Sequence, residues 1–294
     1  MKTRTGLLAG ILLAAGLLAS VAQAGAPMGP PMATLGEGHW GFGGEYGYES
    51  IDLRSFGTVT ENVTGFFVDS HAQLANVENL GSNMFFGTVA YGICDNWDVF
   101  ARVGAANAQD DIVLFDPNNP GLAGSRAGFD GGFGLAWGVG TRATFCRSGP
   151  WSFGGLAQVT WYNPGKSDTT LAGFAIPDET VVGNAELKYW QAQLSLDVAY
   201  QMDTLTLWAG PLLQFVQGDL DINGNLLVGD VLVGTFDSAL DIEESESSQV
   251  GAHFGANWKM ADQLHLWGEG QVTGDSWLVG VGLVFVPEES TTGL

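Results

Sequence analysis

From Trp40 onward apolar side chains recur at every second position, and hardly any stretch carries the three-and-four spacing of an amphipathic helix. Between Trp190 and Met202, Ala192, Leu194, Leu196, Val198 and Tyr200 share one face, while Gln191, Gln193, Ser195, Asp197 and Gln201 share the other. Gln249 to Met260 and Trp151 to Trp161 repeat the scheme. The chain is therefore expected to be all-β, with ten strands near residues 39–52, 83–93, 97–107, 132–145, 151–162, 187–202, 204–217, 248–260, 263–273 and 276–286. Their connections alternate in length. Cys94-Asp95-Asn96, Arg147-Ser148-Gly149-Pro150, Asp203 and Ala261-Asp262 are short turns, and long loops of roughly twenty to thirty residues, notably 54–82 and 218–247, fall between them. Gly274-Asp275 alone is short where a long loop is due.

Alternation of this kind fits either a sandwich in water or a closed barrel in lipid. Three features favour the barrel. Short turns on one side and long loops on the other are the asymmetry of an up-and-down membrane barrel. Trp40, Trp97, Trp151, Trp161, Trp190, Trp258 and Trp277 stand at or near strand ends, where an amphipathic ring suits the headgroup level. In hydrocarbon, moreover, every backbone N–H and C=O must be paired internally, and only a closed sheet leaves no edge. The fold class predicted is an antiparallel, up-and-down transmembrane β-barrel of about ten strands, spanning residues 39–286.

Residues 1–24 have a different character. Lys2 and Arg4 precede an apolar run from Leu7 to Ala19 that closes on Ala22-Gln23-Ala24, the pattern of a cleaved secretory signal peptide. Residues 25–38 are expected to be a periplasmic N-terminal segment and 287–294 a C-terminal tail. No run of eighteen apolar residues follows Ala24, so any membrane span must be built from strands.

Tyr91 to Gly104 resembles the strand, tight turn and strand hairpin of the small bacterial outer-membrane β-barrel proteins, porin-like or of the OmpA type without a periplasmic domain. The alternation of Trp277, Val279, Val281, Leu283 and Phe285 is similar to their closing strand, which the barrel-assembly machinery recognises; here Val286 to Leu294 follow it. The resemblance implies the outer membrane as location and its lipid and the assembly machinery as partners. It names no activity, since such barrels host many.

Charge narrows the possibilities further. Ten Lys plus Arg against 32 Asp plus Glu give −22, and the precursor loses two of its basic residues with the signal peptide. So acidic a surface repels nucleic acid. Two cysteines, Cys94 and Cys146, allow at most one bridge and leave its presence open.

Chemistry is expected in the lumen, where Glu45, Asp98, Arg102, Arg142, Asp197 and Glu269 form an ion-pair set, with Glu49, Gln158, His253, Lys259 and His265 on the same face. Such a set either fixes a narrow, filled barrel or lines a constricted path for ions or small solutes. Asp219, Asp221 and Asn223, with Asp230 eleven residues after Asp219, match the front of a calcium loop, whereas Asn223-Gly224 reads equally as a hairpin turn. No nucleophile elbow, phosphate loop or zinc-ligand spacing appears. The expectation is a passive barrel that is not an enzyme, with no organic cofactor and calcium only at an outer loop. The alternative is an adhesin-like module acting through acidic outer loops.

Overall fold

The computed structural model describes residues 25–64, 67–115, 125–172, 179–244 and 250–287; the expected signal peptide, residues 1–24, and most of the expected tail lie outside them. The strands are β1 (Trp40–Val63), β2 (Phe67–Cys94), β3 (Trp97–Phe115), β4 (Ser125–Ser148), β5 (Trp151–Asn163), β6 (Ser167–Ala172), β7 (Glu179–Met202), β8 (Leu205–Val228), β9 (Val231–Glu244), β10 (Val250–Ala261), β11 (Leu264–Val272) and β12 (Ser276–Phe285). All pairings are antiparallel. β12 closes on β1, from Phe42 opposite Phe285 to Ile51 opposite Ser276. Ten strands thus ring the lower half in the order β1-β2-β3-β4-β5-β7-β8-β10-β11-β12.

Above Ile51 the ring narrows to eight. β6 carries on the line of β5 past Pro164-Gly165-Lys166 and pairs with β7, while Arg126 of β4 meets Ala172. β9 and β10 lie end to end along β8, which takes β10 over Leu205–Leu213 and β9 over Gln217–Val228. The far edge of β9 then pairs directly with β1, Leu53 opposite Glu244 through Val63 opposite Gly234. That contact is open to β9 because the β11–β12 hairpin stops halfway up. Its turn tucks beneath β9, and the Asp52 N–H donates to the Asp275 carbonyl at 2.9 Å. The short Gly274-Asp275 connection is therefore the point where two strands leave the ring.

The expected outer loops are largely strand. Residues 54–63 belong to β1, 67–82 to β2, 218–228 to β8 and 231–244 to β9. Asn223-Gly224 lies within β8, and the chain reverses instead at Gly229-Asp230, where Gly229 takes the left-handed φ of 59° that a side chain disfavours.

Side-chain chemistry inverts at the narrowing while the alternation itself continues. On β8, Leu213 and Phe215 point outward and Gln214 inward; higher up, Asp219, Asn223 and Asn225 point outward, and Leu220, Ile222 and Leu226 are buried inside. β7 does the same, from Leu194 outside and Gln193 inside to Lys188 outside and Leu187 inside. Hydrocarbon around the lower wall selects apolar outward residues, and water around the upper wall selects polar ones. The upper barrel consequently encloses a hydrophobic core that includes Leu53, Leu80, Ile112, Leu171, Leu187, Leu220 and Phe236.

Tryptophans mark the limits of the lower wall. Trp40, Trp97, Trp151 and Trp258 stand near its lower rim, and Trp137, Trp161, Trp190 and Trp277 ten to twelve residues higher. At ~3.3 Å per residue and a tilt of roughly 40°, that interval is about 25–30 Å, the height of a lipid-facing band. Trp137, Trp161 and Trp190 form one cross-strand row, with the first two stacked at 4.2 Å.

Candidate functional site

The lumen of the ten-stranded half holds the densest polar constellation, and it is occupied by the chain itself. Residues 25–38 are not periplasmic; they run up the inside of the barrel from the lower rim. The physical reason lies in their backbone. Pro27, Pro30 and Pro31 withhold N–H groups from a ladder, and the remaining N–H and C=O groups find partners in the polar lumen rather than in a strand.

Two carboxylates hold the segment by its N–H groups. Glu269 on β11 accepts from Met28 at 2.7 Å and Gly29 at 2.6 Å, and Asp98 on β3 accepts from Thr34 at 2.8 Å and Leu35 at 3.3 Å. Thr144 Oγ1 accepts from Ala33. The carbonyls are held from the other side. Arg102 donates to Pro27 O, Gln158 to Ala26 O and Pro27 O, and Gln271 to Ala26 O.

Charge is balanced locally around these contacts. Arg142 Nε donates to Asp98 at 2.9 Å, and Arg102 reaches Glu45 at 3.5 Å and Thr160 at 2.5 Å while lying over the Phe86 ring. His253 stands between Asp197, 3.3 Å from Nδ1, and Glu269, 3.2 Å from Nε2. All six predicted ion-pair residues thus face the lumen, in three ion-paired sets: Glu45 with Arg102, Asp98 with Arg142, and Asp197 with Glu269 through His253. Lys259 stands apart at the lower end, its exposed ammonium paired with Asp262. His265 lies at the same end, near Asn257.

Above this network, Gln193 joins Gln158 at 2.5 Å and Gln271 at 2.7 Å, and Gln191 donates to Glu49 at 2.9 Å. The glutamine cluster was not singled out from sequence beyond Gln158. Its signal is the Gln191, Gln193 pair on one face of β7, repeated as Gln214 and Gln271. Stacked Tyr162 and Tyr189 lie in the next layer up, where the apolar core begins. One cavity beside the plug, bordered by Met28, Pro30, Glu45 and Trp267, has about 20 Å³, room for a single water.

The calcium reading is corrected. Asp219, Asp221 and Asn223 occupy alternate outward positions of β8, so neighbouring ones stand about 6.6 Å apart on a straight strand and do not converge. Asp230 belongs to the distant hairpin turn. No metal-binding group of three His, Cys, Asp or Glu side chains occurs among the described residues. Cys94 and Cys146 are unbridged, and the Cys94 thiol donates to Asn96.

No family model and no curated protein matches this sequence. Among solved structures the chain is similar to the outer membrane protein OprG from Pseudomonas aeruginosa, with 11% identity over 86% of this chain and 98% of that one and a TM-score of 0.41. It is similar also to the outer membrane protease OmpT from Escherichia coli, at 8% identity over 83% and 94% with a TM-score of 0.40. A third is the translocator domain of the autotransporter NalP from Neisseria meningitidis, at 10% over 96% and 97% with a TM-score of 0.39. At such identities the functional reading rests on the chain's own geometry.

Proposed function

We propose that this chain is an integral outer-membrane β-barrel that acts passively and keeps its own lumen shut: a lipid-embedded ten-stranded base carrying a sealed eight-stranded barrel into the water outside. Its double filling carries this reading. Residues 25–38 occupy the lower lumen, and above them lies the apolar core, which Ala26 joins from below. Eight strands enclose just enough room for side chains, so the upper barrel needs no ligand to be full. The lipid-facing band between two Trp girdles supports placement in a membrane, and closure on β1 removes the edge that hydrocarbon would not tolerate.

A second reading, a gated path for small solutes, is favoured by one observation. The backbone of the plug is held by hydrogen bonds to charged and polar side chains, which water can replace, although Met28, Met32 and Leu35 also pack in apolar clusters on the wall. Planar bilayers separate the two. Under the closed reading the folded protein gives no reproducible conductance steps, with or without residues 25–37. Steps whose ion preference changes in Arg102→Ala would replace it with the gated path. Heat-modifiable gel mobility combined with membrane fractionation tests barrel and location together; a chain that stays dissolved without detergent and keeps its sheet overturns both readings.

A further inference from the structure

The lumen is short of positive charge where the plug begins. Five carboxylates face it, Glu45, Glu49, Asp98, Asp197 and Glu269, against Arg102, Arg142 and the imidazole of His253. Four of these acids have one of those cations within 4 Å. Glu49 has none. It is fully buried, its Oε1 accepts from Gln191, and its Oε2 has no hydrogen-bond partner among the described residues. The carboxamide oxygens of Gln191 and Gln158 are likewise buried and unpaired. Two acceptors in one layer, Glu49 Oε2 and Gln191 Oε1, therefore lack a donor among the described residues, as does Gln158 Oε1 in the layer below, opposite Gln193.

That layer lies where the chain reaches Gly25. Pro27 packs on Gly47, and Gly25 packs on the Gln193 side chain so closely that a Cβ would collide with it. Glu49 and Gln191 each stand one inward position further up the same two strands, and their mutual hydrogen bond spans the lumen there. Gln158, from a third side, holds Ala26.

We propose that the α-ammonium of Gly25 is the counter-ion of Glu49 and locks residues 25–38 into the lumen, so that the plug is completed by removal of the signal peptide. Hydrolysis of the Ala24–Gly25 peptide bond by a signal peptidase adds water across it. Ala24 departs as the carboxylate, and Gly25 keeps the nitrogen, which takes up a proton to become –NH3+. That group brings three donors and one positive charge to a site with two open acceptors, Glu49 Oε2 and Gln191 Oε1, and one uncompensated carboxylate, where a neutral amide brings one donor and no charge. The inference rests on cleavage after Ala24 and is independent of whether the lumen conducts.

The test is amine labelling of the processed protein, extracted folded in detergent, with an acylating reagent near pH 7.5, followed by peptide mass spectrometry. Lys166, Lys188 and Lys259 serve as internal standards for reagent access. The Gly25 amine is expected to react at least tenfold more slowly in the folded barrel than after heat unfolding, and Glu49→Gln to remove most of that protection while gel mobility still reports a folded barrel. Should Glu49→Gln not fold, Glu49→Asp, which keeps the charge on a shorter stem, is expected to fold with intermediate protection. Equal labelling of the folded and unfolded wild type overturns the proposal, as does protection unchanged in Glu49→Gln or full in Glu49→Asp. A first residue other than Gly25 also overturns it, by a distinct readout that leaves the closed-barrel reading in place.

Discussion

Glu269 accepts the backbone N–H of Met28 at 2.7 Å, joining two residues 241 positions apart and tying β11 to the first residues of the plug. The same carboxylate holds Gly29 and faces His253, so its loss strands two buried donors and one ring nitrogen. Glu269→Ala is expected to destabilise the plugged barrel by about 3–5 kcal/mol, since each hydrogen bond to a charged group contributes roughly 1.5–3 kcal/mol. Urea unfolding followed by gel mobility measures this, and limited proteolysis should cut first within residues 25–38. A loss below about 1 kcal/mol would mean the plug is held elsewhere.

Arg142 and Asp98 are both buried and 2.9 Å apart. Removing one charge leaves the other uncompensated, so Arg142→Ala should cost about 3–5 kcal/mol. The double variant Asp98→Asn with Arg142→Met should cost clearly less than the sum of the singles. A double-mutant cycle checks this, and simple additivity would show that the two do not act as a pair.

Asp219 and Asp241 stand directly opposite each other on the outer wall of β8 and β9, both exposed. Like charges in that position repel across the ladder. Asp219 also faces Lys188 on β7 whereas Asp241 faces Phe56, so Asp241→Asn is expected to stabilise the upper barrel by roughly 0.2–1 kcal/mol, with the gain shrinking in high salt. Hydrogen exchange of the β8 amides at two ionic strengths reads it.

Glu186 lies on the water-exposed wall above Trp190, and hydrogen bonds from Lys166 and Lys188 hold its carboxyl below the ordinary value of 4.5. A depressed folded value means the cluster stabilises above the unfolded value and loses that contribution as pH falls through the folded one. Glu186→Gln should therefore be less stable than wild type at neutral pH and indistinguishable from it well below pH 4.5. A difference that grows with acid would contradict the assignment. The effect is small, because the cluster is solvent-exposed.

Cys94 and Cys146 flank the short turns at the end where the plug enters. With that end in the periplasm, a membrane-impermeant maleimide should leave Cys146, the exposed thiol, unmodified in intact cells and label it once the outer membrane is permeabilised. Labelling in intact cells would invert the barrel.

Ten strands were legible because hydrocarbon outside and polar groups inside impose one phase on the alternation. Their upper halves were not. Between Phe215 and Leu220 on β8 the inward and outward parity continues, but the apolar residues pass from outward positions to inward ones, and in a sequence that slip looks like the end of a strand. Glu45, Asp98, Arg102, Arg142, Asp197 and Glu269 could be placed in the lumen from parity alone, while the plug that Asp98, Arg102 and Glu269 hold could not be named. Gly25 to Gly38 has no alternation to read, and its Pro-Gly composition suits a loop outside a barrel as well as a thread within one.

The sequence by itself determined the wall, because a period of two and paired backbone groups are local properties that each strand carries independently. Only the tertiary structure decided what the wall encloses. Lumen contents depend on contacts between residues more than a hundred positions apart, such as Ala26 with Gln158 and Gln271. The number of strands at each height depends on where the β11–β12 hairpin stops, and no local pattern encodes such long-range closure.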